Sequence, residues 1–337
     1  MPENSKRLKK YHYLIYPFLI VLSGLFIYSA TRHYIDDKMY QQAFTNNYRI
    51  FSVPLPSKVD FCGEDVPLDD FFVREGLEKE LLVNVYWNSS TLLMIKRSYR
   101  WFPVIEPILK KNHVPDDFKY LALAESGFTL TVSPAGAAGF WQFIKATGTQ
   151  YGLEINNEVD ERYHVEKATQ AACDFFSHAD SIFHNWTLSA AAFNMGEAGL
   201  KNQIEFQKVN NYYDLLLNQE TSRYIYRIIA LKLICSFPSR YGYYLRLKDL
   251  YPGIPTYRVK IDSGTSNLYE FAHANQVTYK ILKEFNPWLR DRRLNNKSGK
   301  PYQITLPVKG FTSYKKLLEN MKNADSILID TNKVNFF

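Results

Sequence analysis

Through much of this chain apolar residues recur at three- and four-residue intervals while the positions between them are polar, the pattern of helices with one buried face. It predicts two helices over residues 70–90 and 91–112, with a break near Pro103, and a third over 114–128. The third has Pro115 at its first position, Asp116 and Asp117 against the positive end of its dipole, and Gly127 at its end. Further helices are predicted over 165–183, 188–194, 197–206 and 221–237. Residues 129–152, rich in Gly and Ala, interrupt the period and call for tight turns. The stretch from 70 to 240 thus reads as all-helical, an extension over 70–112 followed by a domain over 113–240.

After Pro252 and Pro255 the period changes. TYRVKI alternates like a strand, LYEFAHANQV and TYKILKEFN read as short helices, and YQITLP returns as a strand, a β-α-α-β module within 255–308. The tail over 309–337 holds one amphipathic helix. Residues 31–69, with Pro54, Pro56, Gly63 and Pro67, read as an extended linker running over a surface. The fold class expected is mainly α, with one small α/β module.

Ahead of the linker lies an apolar stretch of 18 residues, 13–30, preceded by Lys6, Arg7, Lys9 and Lys10. As a helix it would reach about 27 Å, enough to cross a hydrocarbon core. A cleaved signal fits less well, because Ile27 and Tyr28 stand where a cleavage site wants small residues. An uncleaved signal anchor is expected, with residues 1–12 cytoplasmic and the chain from about residue 35 outside.

Composition narrows the chemistry. The 337 residues are 46% hydrophobic and 22% charged, which suits folded domains and excludes a disordered chain. Of the net charge of +7, Lys6, Arg7, Lys9 and Lys10 less Glu3 supply +3, and the mild remainder argues against a nucleic-acid partner. Aromatic residues reach 16%, a stock that can line sugar clefts or simply fill a core. Cys62, Cys173 and Cys235 are too few and too widely spaced for a disulfide framework or a C-x-x-C site, so at least one free, buried thiol is expected. H-E-x-x-H, G-x-G-x-x-G, G-x-x-x-x-G-K-[ST] and G-x-S-x-G are all missing, which leaves no metal, no cofactor and no serine nucleophile to propose.

One carboxyl stands out. In FKYLALAESGF, Glu125 falls on the apolar stripe of Phe118, Leu121 and Ala122, seven residues after Phe118, so it points inward near a helix end. Burial there would keep it protonated and able to donate a proton near neutral pH. The alternative is a glutamate paired with Lys or Arg at a helix seam. Three further segments bear on the choice: GAAGFWQ at 136–142, AAFNMGEAG at 191–199 and ETSRY at 220–224. Gln142 and Asn194 can bind acetamido or hydroxyl groups, and Trp141 and Phe193 can offer flat faces to a pyranose ring or serve as core. Tyr224 is equally a core residue with a satisfied hydroxyl.

In order and spacing, ES at 125–126, GFWQ at 139–142, AFN at 192–194 and E-T-x-x-Y at 220–224 resemble the four motifs of the family 1 lytic transglycosylases, with their goose-lysozyme-like fold. The likeness covers roughly residues 100–240 and points to the membrane-bound subgroup D. The module resembles a LysM domain, through YRVKIDSGTSNLYEFAHANQVT and the closing YQITLP, with residues 288–303 as an insertion.

The resemblance implies a peptidoglycan-cleaving enzyme without cofactor, acting in the periplasm on glycan strands. In it Glu125 would protonate the oxygen between N-acetylmuramic acid and N-acetylglucosamine, then take the proton of the C6 hydroxyl that closes a 1,6-anhydro ring. Ser126 would hydrogen-bond near the acid or the substrate, Gln142 and Asn194 would bind sugars, and Tyr224 would orient Glu125. Two positions depart from the family pattern: Phe193 lacks the hydroxyl of the usual A-Y-N, and Trp141 replaces the usual methionine. A hydrolase of the same bond and a non-catalytic wall-binding scaffold are the competing readings.

Overall fold

The computed structural model describes residues 51–296 and 299–321, together with Lys38, Met39, Gln41, Gln42 and Thr45. The chain divides into two units, 1–52 and 53–337. In the first, Lys38, Met39, Gln41, Gln42 and Thr45 are helical and exposed. The expected anchor over 13–30 and the tail beyond 321 lie outside the described residues, among which no helix is long and apolar enough to cross a membrane.

The second unit is mainly helical. Helices α1 (Phe71–Tyr86), α2 (Asn88–Lys111), α3 (Phe118–Ser126), α4 (Lys145–Gln150), α5 (Val165–Phe183), α6 (Trp186–Met195), α7 (Glu197–Gln207) and α8 (Thr221–Ser236) follow in order. Two of them are apolar nearly all round, and these are the central ones. All residues of α3 from Phe118 to Leu123 are buried, and α8 buries Tyr224 to Tyr226 and Ile228 to Leu231. Helix α8 packs against α1, α3 and α6. The one cation inside α3, Lys119, is tied to Glu106 at 2.8 Å and to Asp116.

Two expectations are corrected here. Helix α2 runs unbroken through Pro103 and Pro107. Both prolines lie on its exposed face, where water can serve the carbonyls whose intrahelical donors are lost. Nor is the segment before α1 a surface linker. Strands β1 (Asp60–Phe61) and β2 (Glu64–Asp65) form a short antiparallel hairpin, and Val53, Val59, Phe61, Val66 and Leu68 are buried in the main core. The Phe61 ring packs 5.8 Å from Phe118, so this segment caps the central helix. Glu64 accepts hydrogen bonds from the Trp186 and Thr187 amides at 2.6 and 3.0 Å, which caps α6 from 122 residues away. Cys62, Cys173 and Cys235 are all free thiols, and Cys173 is fully buried.

The C-terminal module pairs β3 (Thr256–Ile261) with β4 (Tyr302–Pro307) in antiparallel register, Thr256 opposite Pro307 and Ile261 opposite Tyr302. Helices α9 (Leu268–Ala274) and α10 (Tyr279–Phe285) lie between them in the chain. The expected insertion contributes to the core: its Trp288, Leu289 and Leu294 are buried with Ile261, Leu268, Leu282, Ile304 and Leu306. A short helix, α11 (Tyr314–Glu319), follows and buries Leu317.

Candidate active site

The site forms where the end of α3, the start of α8 and the end of α6 meet. Helix α3 stops at Gly127, which takes the left-handed conformation (φ 56°) and donates its N–H to Leu123 O at 2.8 Å. That leaves Glu125 in the last turn, on the face turned to α8. There the Tyr224 hydroxyl donates a short hydrogen bond to Glu125 Oε1. Tyr224 itself is 1% exposed.

The electrostatics follow from this placement. Burial pushes the Glu125 carboxyl above its ordinary range, the Tyr224 hydrogen bond and the charge of Arg227 pull it back, and Glu220 pushes it up again. Burial likewise holds the Tyr224 phenol well above its usual value, reinforced by the negative charge of Glu125. The hydrogen-bond partner of Glu125 is thus a neutral phenol, not the cation that the alternative sequence reading required. Arg227, one turn after Tyr224, stacks its guanidinium 5.7 Å from the Tyr224 ring centre and acts on Glu125 through space.

The other residues singled out fall around this pair in different ways. Asn194, at the end of α6, accepts from Thr221 Oγ1 at 2.7 Å and donates to Glu220 Oε1 at 3.3 Å, joining α6 to the start of α8. Ser126 donates to Phe140 O at 2.9 Å and accepts from the Phe128 amide at 3.1 Å. Its hydroxyl is committed to holding the loop over 136–143 against α3. Gln142, half-buried and left-handed (φ 49°), donates to Gly139 O at 2.8 Å and Thr131 O at 3.1 Å. Phe193 is half-buried, with Phe143, Phe175 and Phe176 around it at 5.4, 5.0 and 5.1 Å.

Trp141 is a correction. It has no exposed surface, and its indole N–H donates to Thr169 Oγ1 at 2.9 Å. A ring enclosed on both faces cannot stack on a sugar, so Trp141 is core.

Sequence reasoning attached no role to Thr221, Glu220, Arg227 or Arg162. The signal for Arg227 was its three-residue spacing from Tyr224, which puts both on one helix face. Arg162 had no local signal. Its guanidinium donates to Gly136 O and Phe143 O at 2.8 and 3.1 Å, and its own carbonyl lies where a Cβ on Gly139 would come within 1.9 Å. Only glycine fits at 139, which is the physical reason the motif opens with one.

Residues 102–215 match the transglycosylase SLT domain family. The matched span holds Glu125, Ser126, Gln142 and Asn194 and stops short of Tyr224, which α8 adds. Residues 257–310 match the soluble lytic transglycosylase C-terminal LysM-like domain. Two curated relatives, each a membrane-bound lytic murein transglycosylase D, come from Escherichia coli K12 and Escherichia coli O6:H1 CFT073. Each is 29% identical over 258 residues, which cover 74% of this chain and 55% of the relative. The chain therefore spans about half the length of the curated relatives it matches, and the alignment reaches beyond the SLT domain.

Proposed function

We propose that this chain is a peptidoglycan lytic transglycosylase, cleaving the β-1,4 bond between N-acetylmuramic acid and N-acetylglucosamine without water. The observation that carries the reading is the desolvated Glu125 carboxyl held by the Tyr224 phenol. Burial favours the neutral form of the acid, which gives its proton to the glycosidic oxygen as the bond breaks. The resulting carboxylate takes the proton of the muramic acid C6 hydroxyl, whose oxygen attacks C1 and closes the 1,6-anhydro ring. One carboxyl thus acts as acid and then as base, and Tyr224 orients it by holding Oε1.

Gln142 and Asn194 are the polar groups proposed to bind the sugars, with Phe193 as an apolar wall. Ser126 contributes by fixing the loop, not by touching substrate. The LysM-like module and the names of the relatives, both lytic murein transglycosylases, support glycan strands as the partner. Those names, with the basic and apolar amino terminus, support an inner-membrane anchor over 13–30 and a periplasmic working domain.

The test is Glu125→Gln: it should abolish release of anhydro-muropeptides from purified sacculi, and an unchanged yield would remove Glu125 from the role. Glu220, a second carboxylate whose charge reaches Glu125, gives a hydrolytic reading a foothold. Products heavier by one water would establish it. Binding of sacculi with no turnover by the unmodified chain would favour the scaffold instead.

A further inference from the structure

We infer that the LysM-like module is a fixed part of the catalytic unit, which positions the Gln142 loop through Arg162, and is not a tethered arm that only binds the wall. The inference rests on the transglycosylase reading for its effect on turnover, but the coupling itself is a matter of packing.

The contact between module and SLT domain is built like the inside of a domain. Leu289 bridges to Val159 in antiparallel fashion. The Asp160 amide donates to Trp288 O at 2.9 Å, and the Arg290 amide to Glu158 O at 2.7 Å. Val159 and Tyr163 of the SLT domain are buried in the same apolar cluster as Trp288 and Leu289 of the module. Arg290 stacks its guanidinium 4.4 Å from the Tyr163 ring centre. Around that seam Glu158 accepts from the Asn295 amide at 2.8 Å, and Glu154 accepts from the Tyr302 hydroxyl at 3.0 Å and pairs with Lys300 at 3.3 Å. A swinging arm would show a polar linker and a wet, small contact instead.

From the seam the coupling runs two ways into the site loop. Ala138, next to Gly139, is 1% exposed and belongs to that shared cluster. Arg162, two residues beyond the paired Asp160, grips Gly136 O and Phe143 O while its carbonyl presses on Gly139. The loop so held carries Gln142, and its Phe140 carbonyl receives the Ser126 hydroxyl beside Glu125. The insertion over 288–303 supplies Trp288, Leu289, Arg290, Asn295, Lys300 and Tyr302 to this contact. A feature that looks like a disturbance of the LysM pattern is the part that docks it.

The experiment uses the full chain with Glu154→Ala and Glu158→Ala combined. Both changes lie on the SLT side, so the module keeps every residue of its own core. Hydrogen exchange at the Gly136, Ala138 and Gln142 amides, bonded to Ser133 O, Phe143 O and Gly139 O, should speed up about tenfold or more. Turnover of a soluble glycan tetrasaccharide should fall on the order of tenfold with KM little changed, since displacement of a site loop by about 1 Å is enough for losses of that size. Co-sedimentation with sacculi should stay as in the parent. Arg162→Lys, which keeps the charge but not the two-carbonyl grip, should reproduce the exchange and turnover effects with the module still docked. Unchanged exchange and turnover, with sacculus binding alone reduced, would overturn the inference. Should the parent prove not to cleave glycan, the transglycosylase reading fails, and the exchange measurement still decides the coupling.

Discussion

Tyr224 donates its phenolic hydrogen bond to Glu125 across 99 residues of sequence, and that bond works against the burial around it. A donor to the carboxylate favours the charged form, whereas desolvation favours the neutral one. Burial is the larger, so the acid stays above its ordinary range with Tyr224 setting how far. Tyr224→Phe should raise the Glu125 pKa further. The alkaline limb of the pH–rate profile, which marks loss of the protonated acid, should therefore move to higher pH. At the same time kcat should fall on the order of tenfold, because Oε1 is no longer held. A profile whose alkaline limb stays in place would show that the phenol does not govern the acid's ionisation.

The same raised pKa is a statement about stability. A carboxyl whose folded-state pKa lies above its unfolded value favours the fold while protonated, and that contribution is lost as pH rises through the folded value. Above it the fold carries an ionised group in a poorly solvated place. Glutamine cannot ionise, so Glu125→Gln should raise Tm relative to the parent at about pH 8 and leave it nearly equal at about pH 4. Thermal unfolding at both pH values checks this. An equal shift at both would mean that the substitution acts through packing alone.

Most of the helices were legible because their apolar spacing and end signals agree. Residues 165–183 were predicted as a helix and α5 occupies that span, and Gly127 ends α3 as its position suggested. What escaped reading depends on tertiary contacts. Pro103 signals a break locally, but its exposed setting on α2 lowers the penalty, since water can serve the freed carbonyl. Trp141 sits in a motif next to Gln142, and only the packing tells the inward ring from the outward amide. Arg162 is separated from the site motifs in sequence and meets the loop through backbone carbonyls, which no residue pattern encodes.

The segment before α1 shows the same limit with a measurable consequence. Prolines and glycine made it look like a connector, yet it delivers Phe61 at 0% exposure to the core. Glu64 adds hydrogen bonds to the Trp186 and Thr187 amides and to Thr187 Oγ1, the last at 2.6 Å. Glu64→Ala should lower stability by about 2 kcal/mol, in the range for loss of a charged cap at a helix start. A soluble form beginning near residue 51 should unfold cooperatively, whereas one beginning at residue 70 should lack a cooperative transition. Equal melting curves for the two forms would return the segment to the status of a linker.

Trp141 offers the sharpest separation of fold from function within the motifs. Its ring is enclosed, with Phe176 at 6.0 Å, and its N–H satisfies Thr169 Oγ1. Thr169 also donates to Val165 O at 2.7 Å, so losing the indole strips it of one partner and keeps the other. Trp141→Phe removes a hydrogen bond and leaves a void, a combined cost of about 2–3 kcal/mol. In a domain of this size that corresponds to a fall in Tm of roughly 5–10 °C. Because the side chain meets no solvent, KM for a soluble glycan should stay within about twofold of the parent at temperatures where the variant is folded. A large rise in KM without loss of stability would place the indole at the sugar after all. The opposite result, lower stability with binding intact, assigns the aromatic position of the GFWQ motif to the core that holds Gly139 and Gln142 in place.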